Sequence, residues 1–256
     1  MSPYKSQSPL EKYGNEIDHL RIALDDAFGV NLRANPSVPE DRVIFPLGVA
    51  TRDLFEEVIW LVQEGFGNGA LRTSRTLYEC VVFCLYINKH PETWNRYLGT
   101  MHSQWARIMQ NVPGADQTLP EIHNVLLTKV PKYGKGSGAF ISLDWNNEKT
   151  TYNMASDVGI SDLFHSLAFN YASGFVHPTA MFFLHSLARS LPDGPLTAGA
   201  DSDSQEWKFA LQISHDMTIN AMRLRTKYSD SIALRNSLEI CETDFLSIWG
   251  YQPQLS

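Results

Sequence analysis

The chain has 256 residues, of which 43% are hydrophobic and 19% charged, so it can bury a sizeable core and is not a disordered segment. Its 21 basic residues stand against 28 acidic ones, a net charge of -7, which removes any chain-wide attraction to nucleic acid or an anionic membrane. The longest strongly apolar run, Cys80 to Ile87, is too short to cross a bilayer, and the N-terminus has no basic stretch leading into an apolar signal core.

Ser8-Pro9-Leu10-Glu11 reads as a capping box with proline at the first helical position. Leu10, Tyr13, Ile17, Leu20, Leu24 and Phe28 follow at three- and four-residue spacing, and Gly29 ends this first helix. Ser37-Val38-Pro39-Glu40 repeats the signal before a long helical pattern that Pro46 is expected to kink. The segment Gly65 to Gly69 breaks the pattern, and Ala70 to Asn88 then reads as the central helix, apolar almost all round from Leu77.

Pro91 opens a helix through Trp94, Met101, Trp105 and Ile108 that Pro113-Gly114 closes, and Glu121 to Lys129 is a short helix. Residues 131–149 are rich in Gly, Lys and Asn and form the candidate functional loop, with a short extended piece at Ala139 to Leu143. Lys129, Lys132 and Lys135 around Tyr133 are read as a solvated loop rather than an RNA contact. Ser161 starts a helix that Gly174 and Pro178 are expected to bend or split. Two further helices run through Trp207 to Leu224 and Ile232 to Ile248. No stretch alternates as a strand does, so the fold class is all-α: a single globular bundle of about eight to ten helices over residues 1–256.

Three cysteines without disulfide spacing suit a reducing compartment, and the expected location is cytoplasmic. Cys80 and Cys84 share a face of the central helix, but no second Cys or His pair completes a metal site, so they read as core thiols. His185, His215-Asp216 and Asp230 or Asp244 only loosely match a metal phosphohydrolase ligand set. Glu16-Ile17-Asp18-His19 supplies one half of a di-iron bundle pattern whose other half is missing. Neither a metal nor a cofactor is expected.

Two constellations place polar groups on apolar helices. Arg75 and Glu79 lie four apart on the central helix, either as an ion pair tying down a neighbouring helix or as part of a pocket in which Arg75 holds a phosphate or carboxylate. Tyr171, Ser173 and His177 cluster at the expected helix break. Ser173 and His177 could meet only if the turn stays helical, and no acid is placed by sequence to orient the histidine, which argues against a serine hydrolase.

Arg75-Thr76-Leu77-Tyr78-Glu79, then Trp145, then Asp157-Val158-Gly159, then Tyr171-Ala172-Ser173-Gly174-Phe175-Val176-His177-Pro178 is similar to the microbial helical family of unknown function numbered five-six-seven-seven. The resemblance covers roughly residues 50–190, leaving helical extensions on either side. It implies a helical fold in which the Arg/Glu and Ser/His segments come together, and it implies no established reaction. The expected functional centre is a polar pocket with Arg75, Glu79 and His177 as candidate catalytic groups and Tyr171, Ser173 and Trp145 as ligand contacts. The preferred function is a regulatory module binding a small ligand or a protein. The alternative is a helical phosphodiester hydrolase or ribonuclease of the toxin or phage-defence type, which the acidic net charge disfavours without excluding RNA. A homodimer through an apolar helix face is the expected assembly, if the chain assembles at all.

Overall fold

Proline and glycine punctuation sets most helix boundaries. A computed structural model describes residues 9–111, 114–129, 150–176 and 205–253, and among these the regular elements are all helical. Helix α1 runs Pro9–Phe28, with one non-helical residue, Tyr13 (φ -126°, ψ 23°), and the Gly29 amide returns to Asp25 O at 2.9 Å as the helix closes. Helix α2 spans Asp41–Gln63 and passes through Pro46 without a break in its helical assignment. Gly65, in the left-handed region at φ 79°, turns the chain into α3, Gly67–Lys89. That helix begins three residues before its apolar pattern does, because Gly67 to Gly69 are wound into its first turn.

The contacts divide the chain into two compact units. The smaller, Ile87–Thr150, holds a 3-10 turn at Pro91–Thr93 and helices α4 (Trp94–Asn111), α5 (Ala115–Thr118) and α6 (Pro120–Lys129). Ala106, Met109 and Leu126 form its small core, with Ile122 packed against it.

The larger unit, Met1–Tyr86 with Thr151–Ser256, adds α7 (Thr151–Asp157), α8 (Asp162–His165), a π-helical segment Ser166–Tyr171, and α9 (Ala172–Val176). It closes with α10, Gln205–Thr226, and α11, Ile232–Trp249. Helices α1, α2, α10 and α11 pack on one another, each presenting an apolar stripe, while Leu71, Leu77, Tyr78 and Tyr86 of α3 are also fully buried. The Gly48 position on α2 is needed for this packing: a Cβ there would fall 2.1 Å from the buried Phe28 ring. Ser231 caps α11 by accepting from the Leu234 amide at 3.2 Å.

Two buried polar arrangements sit in this core. Asp41 at the start of α2 meets Arg225 in the last turn of α10 at 2.8 Å. On α10, the buried His215 accepts at Nδ1 from Trp249 Nε1 (3.3 Å), its ring lies edge-on to Phe245, and its Nε2 has no hydrogen-bond partner among the described residues. Burial pushes the His215 pKa down to about 3, with the nearby Cys241 carbonyl offsetting part of the effect.

This histidine makes stability pH-dependent. Above pH 6.5 it is neutral folded or unfolded; below that, the unfolded chain takes up a proton that the folded chain refuses, so stability falls as the pH falls toward 3. At about 1.4 kcal/mol per pH unit, this group alone removes about 2 kcal/mol between pH 6.5 and 5. Urea unfolding of wild type and His215→Gln at both pH values is expected to show this loss in wild type, with a pH dependence about 2 kcal/mol smaller in the variant.

Candidate functional site

One face of α3 carries Arg75, Tyr78 and Glu79 at helical spacing, and the α8 and π-helical segments carry the groups that meet it. Ser161 starts this second wall of the site by capping α8, its Oγ accepting from the Phe164 amide at 3.3 Å. The chain then widens into π-helix from Ser166 to Tyr171 before α9 resumes the ordinary pitch. Such single-turn π segments are frequent at functional sites because the extra residue re-aims the side chains of one turn.

Phe169, inside the π segment, is the hub. The Arg75 guanidinium stacks on its ring, 4.4 Å from the centroid. Its backbone carbonyl accepts from Ser173 Oγ at 2.5 Å, a bond back over one turn that holds the junction with α9. His165 stacks on the same residue, with ring centroids 5.2 Å apart and planes 17° apart. Its Nδ1 shares a 2.7 Å hydrogen bond with Tyr78 Oη in the buried space between α3 and α8. The Tyr152 ring closes on His165 edge-on, and its hydroxyl donates to Asp162 Oδ1 at 3.1 Å.

Electrostatics separates structural from reactive groups here. Burial lowers the His165 pKa, with Asp162 pulling weakly the other way, and burial raises the Tyr78 phenol well above its usual range, with Glu79 adding to the rise. Both side chains are therefore neutral near pH 7 and act as a tie between α3 and the π segment. Arg75 and Glu79 are different. Their closest approach is 3.8 Å, too long for a hydrogen bond, and among the described residues the guanidinium makes none; its Nε is buried without a partner. Burial raises the Glu79 pKa, and Arg75 only partly opposes it.

Of the residues singled out from the sequence, the structure therefore brings Arg75, Glu79 and Ser173 to one neighbourhood, linked through Phe169. Tyr171 packs edge-on against Phe209 of α10, 5.8 Å between centroids. His177 and Trp145 lie outside the described residues, as do Pro178, His185, Lys132, Lys135 and the 139–143 piece. Helix α9 runs through Gly174 to Val176, and Pro178, the other half of the expected break, lies outside the described residues; the irregular turn at Ser166–Tyr171 was not expected from the sequence.

Sequence reasoning missed Tyr78, Tyr152, His165 and Phe169. A histidine directly after Leu163-Phe164 and two before Leu167 was the available signal for His165. The remaining acidic and histidine side chains noted for metals are engaged elsewhere. Asp216 accepts from Asn220 Nδ2 (2.8 Å), and His19 lies 2.7 Å from Asp244. Among the described residues no group of three or more His, Cys, Asp or Glu could hold a metal ion, and no helix is long and apolar enough to cross a membrane.

The family of unknown function DUF5677 matches residues 41–194, which include α2, α3 and the whole π-helical neighbourhood. The chain belongs to this family. No curated protein and no solved structure matches it. The DUF5677 match contains both walls of the Arg75 neighbourhood, while α1, α10 and α11 lie outside it.

The Tyr78–His165 tie has a measurable consequence. Tyr78→Phe keeps the ring and leaves a buried imidazole nitrogen without its partner, so the DUF5677 chain is expected to lose about 1–3 kcal/mol of unfolding free energy. Chemical denaturation at pH 7 checks it, with Tyr152→Phe, whose hydroxyl is exposed, as a near-neutral control.

Proposed function

We propose that this DUF5677 protein is a small-ligand-binding module whose ligand presents a phosphate or carboxylate to Arg75. One observation carries the reading: a partly buried guanidinium, held flat on Phe169, makes no hydrogen bond among the described residues. A buried charge without hydrogen bonds is costly, and a planar fork of donors matches a planar or tetrahedral anion. Stacking contributes about 0.5–2 kcal/mol and fixes the fork without occupying it. Glu79, at 3.8 Å, attracts the guanidinium but is too distant to accept a hydrogen bond from it, and burial raises the Glu79 pKa more than Arg75 lowers it. Ser173, bonded to the Phe169 carbonyl, is the further group of the same site; Tyr171 packs on Phe209 of α10 instead, and His177 and Trp145 lie outside the described residues. The three free cysteines support a cytosolic setting for the module.

The raised pKa of Glu79 favours one second reading, phosphodiester hydrolysis with Glu79 or His177 moving the proton. The two readings separate experimentally. Wild type and Arg75→Met are titrated with inorganic phosphate, AMP and benzoate while melting is followed, and mixed RNA is incubated with each protein with and without Mg²⁺.

The module reading predicts a melting temperature that rises with at least one of these anions, since saturation at a hundred times Kd adds about 2.7 kcal/mol. Binding should weaken about tenfold or more in Arg75→Met, the loss of a charge-assisted hydrogen bond. Absence of any shift, or equal binding by the variant, contradicts an anion site at Arg75. Cleavage of RNA that His177→Ala or Glu79→Gln abolishes, with melting unchanged, makes the hydrolase reading the correct one.

A further inference from the structure

A concave feature lined in part by the α8 and π-helical segments is not used by the Arg75 reading. It is a cleft of about 240 Å³ between the α8 segment and α10. Leu163, Phe164 and Leu167, two, three and six positions after the Ser161 cap, make one wall. Phe209 and Ile213, four apart on α10, make the other. Tyr251 forms the end. It reaches the cleft because Gly250 closes α11 in the left-handed conformation (φ 73°) and turns the chain back, and its ring is fixed edge-on against Phe245 at 5.2 Å.

The polar content of this cleft is small and specific. Gln212 Nε2 donates to Tyr251 Oη at 2.7 Å. In that arrangement the phenol proton and the amide oxygen are left over; with the amide turned round, an N–H and a phenol lone pair are left over. Either way the pair offers one donor and one acceptor side by side. Ser161 Oγ is engaged as the α8 cap. Among the described residues no Asp, Glu, Lys, Arg or His lines the cleft, and burial pushes the Tyr251 phenol up to about 12, so this described lining is neutral at physiological pH. Leu163 stands at the mouth with 75% of its surface exposed, a large apolar side chain at the rim of an apolar hollow.

We propose that the cleft between α8 and α10 is a binding site for a small, uncharged, largely aromatic molecule carrying one amide-like group, which pairs with Gln212 and Tyr251. The volume sets the size, since it falls below the roughly 300–1,000 Å³ of pockets for drug-sized ligands. The lining sets the charge, because no described residue in it compensates the desolvation of an ion. The Gln212–Tyr251 pair sets the polar group, because an amide supplies one acceptor and one donor in the same plane. The site is independent of Arg75, and either can stand without the other.

The test is calorimetric titration of the full chain with benzamide, toluene and benzylammonium at pH 7. Benzamide is expected to bind saturably at one site with a Kd of about a millimolar or tighter. Toluene, which lacks the polar group, should bind about three- to tenfold more weakly, and Tyr251→Phe should weaken benzamide by the same factor. Benzylammonium should not bind. Leu163→Trp, at an exposed position, should fold as wild type does and block the mouth, weakening benzamide at least tenfold. Because Leu163 is outside the core, that variant decides the matter even if Tyr251→Phe melts early. Benzamide binding that is absent, or unchanged in Leu163→Trp, overturns the proposal. Toluene binding as tightly as benzamide overturns it too, and identifies instead a slot for an apolar side chain of another protein.

Discussion

Asp41 and Arg225 form the ion pair on which the larger unit is registered. Asp41, fully buried, is the first residue of α2, and Arg225, almost as buried, lies in the last turn of α10. Arg225 Nη1 donates to both carboxylate oxygens at 2.8 and 3.1 Å, and Nη2 donates to the Arg33 carbonyl at 3.1 Å. The Asn35 amide donates to Asp41 Oδ2 at 2.5 Å, and the Phe45 ring lies 4.9 Å beneath the guanidinium. Each charge sits at the helix end whose dipole favours it, an acid at an N-terminus and a base at a C-terminus. The pair therefore fixes three things at once: where α2 begins, how the 29–40 connection folds back, and how α10 lies along α2. Removing one partner of such a pair costs far more than the pair gains over an apolar substitute, which makes it a device for register more than for net stability.

Arg75 is the informative contrast. Both arginines lie over a phenylalanine ring, at 4.9 and 4.4 Å, and both are largely withdrawn from water. Arg225 is given a carboxylate and a carbonyl at hydrogen-bonding distance; Arg75 is given a carboxylate at 3.8 Å and no hydrogen bond among the described residues. Both guanidinium groups leave Nε buried without a partner, but Arg225 has both Nη groups hydrogen-bonded and Arg75 has neither bonded among the described residues, the pattern of a fold that keeps stability in its framework and forgoes it at a site. The Tyr78–His165 tie and the Ser173 bond to the Phe169 carbonyl then serve to hold the stacking ring still.

The helices were readable because their ends are written in local chemistry. Pro9, Gly29, Gly65 and the Ser161 cap act within one turn, and the apolar periodicity between them needs no knowledge of the rest of the chain. The Arg75–Glu79 relation was readable for the same reason, being set by helical spacing. The π segment was not: Ser166-Leu167-Ala168-Phe169-Asn170-Tyr171 has an ordinary helical pattern, and its contacts, Phe169 with Arg75 of α3 and Tyr171 with Phe209 of α10, are long-range. Asp41 and Arg225 are separated by 184 positions, so their pairing has no local signal at all. The cleft was equally hidden, because Leu163 and Tyr251 meet only after Gly250 has turned the chain.

The central claim is that Arg75 is held in place but not needed to hold the fold, unlike Arg225. Equilibrium urea unfolding of Arg75→Met and Arg225→Met tests it most directly, since methionine keeps the apolar stem in both cases and removes only the charge. The account predicts a loss of about 3–5 kcal/mol for Arg225→Met, which strands a buried carboxylate. For Arg75→Met it predicts a change within about 1 kcal/mol of zero, of either sign. A loss for Arg75→Met as large as that for Arg225→Met would contradict the account and make Arg75 a structural residue.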